Sequence, residues 1–380
     1  MVSASNHWIK AGQFFAGGGT APLSDQIIQI SGDKIAAILP ASAATPDLHL
    51  TYFDIVAPGF IDLQINGAGG VLFNDQPDLN AINTIVAAAR KGGTCHLLPT
   101  FITAAGRAYK HALQAVGEAQ GLPEVLGLHL EGPFLSPAKP GIHTPAFIRK
   151  MDAQDLDCLT SFEGRLLLTC APEEMRLADI SALSRAGVIV FAGHSMADSE
   201  IMSAAAAAGV CGVTHLFNAC SQIEARAPGI VGAALSDRRL FAGIIADTHH
   251  VHETNLKLAS AQMDGRLCLV SDTMPSFGSD LTSFALQGKE ITLQDGRLLS
   301  RDGQLAGAHL GLDEAVRNII ACTGIPAEKA LDMASGIPAK ILGLEALYGQ
   351  IEVGCLASLT CMDNRFTTQA VYVHGNAYRP

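Results

Sequence analysis

The feature that most constrains the fold is an alternation of short apolar runs with helix-length segments, which begins near residue 57. Strands buried on both faces are typical of parallel sheets, and eight βα units in one chain favour a closed barrel over an open sheet. The sequence therefore predicts an α/β fold with a (β/α)8 TIM-type barrel, whose strands are expected at 60–65, 94–98, 125–130, 166–170, 188–192, 212–215, 241–246 and 267–271.

The two ends of the chain show a different pattern. Residues 26–39 alternate between apolar and polar side chains and turn at Gly32-Asp33, which predicts a β-hairpin. Residues 349–375 contain further short runs of strand type. We expect the two ends to join as one small β-sandwich domain, formed by residues 1–56 and 344–380, beside a barrel domain of residues 57–343.

Composition excludes several classes of function. The net charge of the 380 residues is −11 and no basic block occurs, which argues against a nucleic-acid partner. No apolar run approaches the roughly 20 residues of a membrane span, and the first residues lack the apolar core of a signal peptide. The nine cysteines are scattered without a CxxC pair, which favours free thiols in a cytoplasmic protein over a disulfide framework.

Ligand-type residues end three of the predicted strands. Glu131 ends the third, His194 follows the fifth and His215 ends the sixth. Because barrel chemistry gathers at the carboxyl ends of the strands, we expect the three side chains to converge at one mouth. Two imidazoles, one carboxylate and an open position form the usual set for a catalytic zinc or similar divalent ion. A single histidine at such a place is more often a hydrogen-bonded structural residue, but three ligand-type residues at three strand ends favour a metal site.

Two further polar residues suit the chemistry of an activated water. Asp272 ends the eighth predicted strand, where a carboxylate can take a proton from water and return it to a leaving amine. The alternative is a helix N-cap, which Pro275 disfavours. His250 follows the seventh strand and is placed to polarise a carbonyl oxygen, although His249 and His252 stand beside it.

Other candidates lie in the loops and on the first strand. His143 and Arg226 are the best candidates to bind an anion, and a surface salt bridge is the alternative for the arginine. Gln64 and Asn66 end the first strand, where many metal-dependent hydrolases of this general type have His-x-His. His129 shares a strand face with Glu131 and is interpreted as packing beside the site, not as a ligand.

The chain resembles the N-acetylglucosamine-6-phosphate deacetylases of the amidohydrolase superfamily, in their single-metal form with Gln-x-Asn. The motifs follow the order expected for that family over nearly the whole chain. "LHLEGP" and "THLFNA" together are quite specific. The matching segments are "PGFIDLQINGAGG" (58–70), "LHLEGPFL" (128–135), "GIH" (141–143), "GHS" (193–195), "THLFNA" (214–219), "RAPGIVGA" (226–233), "IADTHHVH" (245–252), "LVSDTM" (269–274) and "LAGAHL" (305–310).

The resemblance implies a reaction and a set of roles. The reaction is removal of the acetyl group from N-acetyl-D-glucosamine 6-phosphate, giving D-glucosamine 6-phosphate and acetate in amino sugar catabolism. It implies one divalent metal ion per subunit, zinc first and iron, manganese, cobalt or nickel as alternatives, held by Glu131, His194 and His215. Asp272 and His250 are then catalytic, and Gln64 and Asn66 line a vacated second metal position. Family members are commonly homodimers. The implied substrate-binding residues are Ile142, His143, Asn218, Ala219, Arg226, His250 and the loop Ala306-Gly307-Ala308.

The chain departs from the family pattern at several positions. Thr248 stands where the family usually has glycine, Ala227 where it usually has glutamate, Ala308 where it often has serine and Cys220 where it often has methionine. These departures leave the sugar open, and N-acetylgalactosamine-6-phosphate deacetylation is the alternative. Two less favoured readings are an amidohydrolase for a non-phosphorylated amide, and a barrel without catalysis that serves as a binding protein.

Overall fold

The N-terminal part of the chain forms four strands. The computed structural model describes residues 6–45 and 48–380, so residues 1–5 and 46–47 of the expected small domain lie outside it. The predicted hairpin at Gly32-Asp33 is confirmed, since Ser31 pairs with Lys34. The first strand pairs antiparallel with the second and parallel with the fourth. The strands are β1 (Asn6–Phe14), β2 (Leu23–Ser31), β3 (Lys34–Pro40) and β4 (Leu50–Pro58).

All eight apolar runs form strands of one parallel sheet, as the sequence predicted. The third strand begins later than expected, because Val125 makes only an isolated bridge, and the sixth begins earlier. A two-stranded hairpin, β6 (Gly67–Ala68) and β7 (Val71–Leu72), follows the first of them. The barrel strands are β5 (Phe60–Ile65), β8 (Thr94–Ile102), β9 (Leu128–Glu131), β10 (Leu166–Cys170), β11 (Ile189–Ala192), β12 (Val210–Val213), β13 (Phe241–Ile244) and β14 (Leu267–Leu269).

The barrel closes between its first and last strands. β5 and β14 are the two outermost strands in the order of the hydrogen-bonded sheet. A parallel bridge between Ile65 and Thr273 joins their ends. The backbone N–H of Asp272 donates to the carbonyl of Gln64 at 2.9 Å, and that of Asn66 donates to the carbonyl of Thr273 at 3.0 Å. Closure therefore brings the ends of β5 and β14 together, and with them the side chains of Gln64, Asn66 and Asp272.

Ten helices occur in the part of the chain that the structure describes, and most of them follow a barrel strand. Aspartates placed just before three of them accept hydrogen bonds from the first turn, as good N-caps do: Asp78, Asp152 and Asp198. The helices are α1 (Leu79–Ala89), α2 (Tyr109–Glu118), α3 (Ala153–Thr160), α4 (Leu177–Arg185), α5 (Ser199–Ala208), α6 (Gly229–Ser236), α7 (Glu253–Gln262), α8 (Leu312–Thr323), α9 (Ala327–Ala334) and α10 (Gly336–Ile341).

An antiparallel sheet that the sequence analysis did not anticipate is inserted between β14 and α8. Its strands are β15 (Ser283–Leu286), β16 (Lys289–Gln294), β17 (Arg297–Ser300) and β18 (Leu305–Ala308). The prediction that Ala306-Gly307-Ala308 forms a loop is wrong, because these residues belong to β18. The strand pairs with β17, and the N–H of Ala308 donates to the carbonyl of Asp272 at 2.9 Å.

The chain ends in three strands that complete the first sheet: β19 (Leu359–Met362), β20 (Thr368–Val373) and β21 (Asn376–Tyr378). The order β21-β20-β19-β4-β1-β2-β3 joins both ends of the chain around their own apolar core. The predicted fold class, a barrel with an additional β domain, is confirmed, while the boundaries at 56/57 and 343/344 stay a prediction. None of the helices described is both long and apolar enough to cross a membrane, and all nine cysteines are free.

Candidate metal centre and active site

Glu131, His194 and His215 meet at the mouth of the barrel, as predicted. Their potential ligand atoms all lie within 4.8 Å of one another, and all three residues are buried. Oε1 of Glu131 lies 3.1 Å from Nε2 of His194 and 2.8 Å from Nε2 of His215. Both histidines have positive φ, +48° and +30°, two residues after the ends of their strands. Such strained backbone is concentrated at functional sites.

The three side chains suit a divalent ion. Nδ1 of His194 donates to the carbonyl of Lys139 at 2.9 Å, since a carbonyl can only accept, so its Nε2 keeps the lone pair that a metal needs. Burial would raise the pKa of Glu131, but the imidazoles of His194 and His215 that face it hold that pKa well below its usual value. A buried carboxylate facing two imidazoles is a donor set that fits zinc and several other divalent ions.

Asp272 lies beside this group and is held by the two amides of β5. Its Oδ1 is 2.6 Å from Nδ2 of Asn66 and 3.1 Å from Nε2 of Gln64. Burial and the negative charge of Glu131 raise the pKa of Asp272 to about 6. In the described chain the next helix after Asp272 is α8, at Leu312, so the structure offers Asp272 no helix to cap.

A pocket of about 350 Å³ opens over the metal group and Asp272. Most of the predicted site residues line it. The exceptions are Gln64, Ala306, Ala308 and Arg226. The predicted residues in the lining are Asn66, Glu131, Ile142, His143, His194, His215, Asn218, Ala219, His250, Asp272 and Gly307; those not predicted are Ile102, Gly141, Ile245, Met274, Gly303, Gln304 and Leu305.

His250 is the histidine of its segment that faces the pocket. Its Nδ1 lies 2.6 Å from Oδ2 of Asp247, which leaves Nε2 for a ligand. Oδ1 of Asp247 accepts the backbone N–H groups of His249 and His250, so one carboxylate orients both the turn and the ring. The sequence analysis did not select Asp247, although its spacing of three residues from His250 was a usable signal. His249 is exposed, and His252 caps α7.

His143 is buried and neutral. Burial and the neighbouring imidazole of His194 lower its pKa to about 3, and the two ring centroids are 4.4 Å apart. Within the described residues, Nδ1 of His143 and Nδ2 of Asn218 are buried without a hydrogen-bond partner. Both residues line the pocket, so their side chains are candidates for contact with a ligand.

Arg226 is exposed, in a segment that runs from Gln222 to Pro228 and is exposed throughout. In the described chain, no lysine or arginine lines the pocket. Three other histidines that the sequence offered have structural partners. Nε2 of His129 is 2.8 Å from Oγ1 of Thr169, Nε2 of His96 is 2.8 Å from Oγ of Ser358, and His309 contacts Ser276.

Comparisons with known proteins agree with this geometry. N-acetylglucosamine-6-phosphate deacetylase of Haemophilus influenzae is 33% identical over 364 residues, which cover 93% of this chain and 94% of that protein. N-acetylgalactosamine-6-phosphate deacetylase of a Shewanella species is 37% identical over 357 residues, which cover 93% of this chain and 90% of that protein.

A solved structure shares the whole architecture. The crystal structure of N-acetylglucosamine-6-phosphate deacetylase from Pasteurella multocida superposes with a TM-score of 0.95 at 33% identity, covering 99% of this chain and 100% of that one. The model of the amidohydrolase family matches residues 55–378. The chain belongs to the amidohydrolase family.

Proposed function

We propose that the protein is a metal-dependent hydrolase that removes the acetyl group from N-acetyl-D-glucosamine 6-phosphate, giving D-glucosamine 6-phosphate and acetate. The observation that carries the proposal is the buried Glu131–His194–His215 group with Asp272 beside it in one pocket. The relatives named above act on acetylated amino sugar phosphates, which supports the substrate class.

The residues of the pocket divide the chemistry among them. A divalent ion held by Glu131, His194 and His215, zinc first and iron, manganese, cobalt or nickel as alternatives, would supply Lewis acidity and activate a water. Asp272 takes a proton from the attacking water as the new C–O bond forms. His250, whose Nδ1 is held by Asp247 and whose ring lines the pocket, is assigned to the acyl oxygen, where a proton on Nε2 would stabilise the developing negative charge. Asp272 then gives its proton to the nitrogen as the C–N bond breaks, and acetate and the free amine result.

Recognition of the sugar is assigned to two side chains of the pocket, those of His143 and Asn218. Among the described residues, Nδ1 of His143 and Nδ2 of Asn218 have no hydrogen-bond partner, so a turn of either side chain toward a ligand would gain a hydrogen bond without breaking one. The backbone at Ala219 and β18, through Gly307, complete the lining. Ile142 supplies apolar contact.

The phosphate needs a cation, and within the part of the chain that the structure describes no lysine or arginine lines the pocket. Arg226 is the candidate from the sequence, and it lies exposed on the rim segment that follows Ala219. We propose a homodimer in which a second copy brings this segment against the pocket and completes phosphate binding. We also place the enzyme in the cytoplasm, because free thiols are usual in reducing compartments.

The test is acetate release from N-acetylglucosamine 6-phosphate, measured on protein whose metal content is assayed in the same batch. We expect turnover with about one ion per chain, and loss of at least a thousandfold in kcat in Asp272→Asn. Arg226→Gln should raise KM for the phosphorylated substrate but not for N-acetylglucosamine, while the control Arg239→Gln, which pairs locally with Asp237, should not. No acetate from metal-loaded protein would reject the proposal.

The second candidate is the galacto epimer. It is favoured by the 37% identity to the Shewanella enzyme, a higher value than the 33% to the Haemophilus enzyme. Parallel assays of the two epimers decide between them, and the epimer with the larger kcat/KM names the substrate.

A further inference from the structure

The two oxygens of the Asp272 carboxylate have different surroundings. Oδ1 receives two amide N–H groups, from Asn66 at 2.6 Å and from Gln64 at 3.1 Å. Oδ2 has no hydrogen-bond partner among the described residues. It is not fully buried, so it stays accessible from the pocket. One oxygen is thus occupied by the protein and the other is free.

The same asymmetry occurs at Glu131. Oε1 faces Nε2 of His194 and of His215, while Oε2 lies 3.3 Å from Nε2 of Gln64. The amide nitrogen of Gln64 therefore stands between two carboxylates and directs partial positive charge to both. Without this donor, the two like charges would repel each other across a site with a low dielectric constant.

The backbone fixes the two amides in these positions. Gln64 and Asn66 are two residues apart, so their side chains leave the end of β5 on the same face. The carbonyl of Gln64 accepts from Asp272, and the N–H of Asn66 donates to Thr273. Both side chains are almost fully buried, at 2% and 1% exposure, which leaves them little rotamer freedom.

The orientation of Asn66 shows where its hydrogen-bonding capacity is directed. A carboxylate can only accept, so the amide nitrogen must be the atom that faces Asp272. Oδ1 of Asn66 is then buried with no partner in the described chain, which costs stability. The fold thus keeps an unpaired oxygen in order to present an N–H group to Asp272.

We propose that Gln64 and Asn66 are positioning residues that occupy one oxygen of each carboxylate. They leave Oδ2 of Asp272 as the oxygen that exchanges the proton and Oε1 of Glu131 as the oxygen that faces the two imidazoles. This inference rests on the proposed function, because it assigns a task within that reaction. The two amides therefore do more than fill the position that histidines hold in other metal-dependent hydrolases. Their N–H groups orient the carboxylates of Asp272 and Glu131.

The test uses variants of similar volume that lack a donor. Asn66→Leu and Gln64→Met should each lower kcat at least tenfold, with KM within about twofold, with the metal content unchanged and with the same cooperative thermal transition. A double-mutant cycle adds the readout that a purely structural role would not give. Because Asn66 acts through Asp272, Asn66→Leu should lower kcat in the unaltered chain and have no further effect in the Asp272→Asn background.

The matched control is Asn318→Leu, which removes an amide that donates to the carbonyl of Ala246 and does not reach Asp272. It should keep kcat within about twofold. An unchanged kcat in both test variants, a loss of metal from either, or equal effects of Asn66→Leu in the two backgrounds would each overturn the inference. No acetate from the unaltered, metal-loaded chain would instead reject the proposed function, and the inference would fall with it.

Discussion

At the scale of single residues, Thr248 occupies a backbone conformation that suits glycine. Its φ is +66° in the turn between Asp247 and His250, and its side chain is exposed. A side chain in this left-handed region costs roughly 1–2 kcal/mol, and glycine in its place costs about 0.5–1 kcal/mol of chain entropy. The position that departs from the pattern of the resembled family is therefore strained.

We expect Thr248→Gly to raise the free energy of unfolding by up to about 1.5 kcal/mol, the difference between the relieved strain and the added entropy. The measurement is the urea midpoint at constant slope. Thr292→Gly, in the middle of β16, is the control and should lower the midpoint, since glycine weakens a strand. A lower midpoint for Thr248→Gly as well would show that the turn carries no relievable strain.

The buried carboxyl group of Asp62 should make the stability of the fold depend on pH. Its Oδ1 accepts the N–H groups of Gln64 and Ser271, but Oδ2 has no partner among the described residues. Burial, and then the charge of Asp272, raise its pKa to about 7. The folded state therefore holds a proton that the unfolded state has already lost, over the range from about pH 4 to about pH 7.

Between these two values stability should fall as pH rises, because the unfolded state binds fewer protons. The slope from this group is at most about 1.4 kcal/mol per pH unit. Asp62→Asn should remove that slope, so the variant gains on the unaltered chain as pH increases. Denaturant unfolding at pH 4.5, 6 and 7.5 measures the effect, with the exposed Asp157→Asn as the control. Parallel curves for all three proteins would mean that Asp62 stays ionised.

At the scale of elements, the barrel was predictable and the inserted sheet was missed. Eight strands that are buried at almost every residue appear in the sequence as apolar runs, and their polar ends identify Glu131, His194, His215 and Asp272. The inserted strands are short and half exposed, so their side chains alternate weakly. One of their turns did carry a sequence signal, because Asp-Gly, here Asp295-Gly296, is a strong indicator of a hairpin. In the structure both residues of Asp295-Gly296 and of Gln287-Gly288 have positive φ. The exposure of Arg226 depends on the tertiary structure, and no local sequence pattern indicates it.

Gln287 connects the inserted sheet by hydrogen bonds to segments beside the pocket. Its side chain donates to the carbonyl of Thr103 and accepts from both the N–H and the hydroxyl of Thr144, the residue after His143. Gln287→Ala removes three hydrogen bonds worth about 1 kcal/mol each, so the loop of Ile142 and His143 should lose its fixed position. We expect KM to rise several-fold and kcat to change less.

Steady-state kinetics measures this effect, with Gln294→Ala at the far end of β16 as the control. Gln294 is exposed, and its side chain makes no hydrogen bond in the described chain. A KM that stays unchanged in Gln287→Ala, or that rises equally in the control, would show that the sheet does not organise the pocket.

At the scale of the whole molecule, the metal group ties together strands that are far apart in the sequence. Glu131, His194 and His215 belong to the ends of β9, β11 and β12, so an ion held by all three would clamp one side of the barrel mouth. The apolar core of the barrel is separate from these residues and extends around the rest of the strands and helices. The fold should therefore survive metal removal, but with lower stability.

Binding to the folded state alone adds about 4 kcal/mol when the free ion is at a thousand times its Kd. Treatment with a chelator should thus lower the melting temperature by several degrees, leave the far-ultraviolet circular dichroism unchanged and abolish acetate release. Added Zn²⁺ should restore both the melting temperature and the release of acetate. Glu131→Gln is the control for specific binding, because it keeps the shape but removes the anionic ligand, and its melting temperature should not respond to chelator or zinc. A chelator response in Glu131→Gln equal to that of the unaltered chain would place the stabilising ion elsewhere in the molecule.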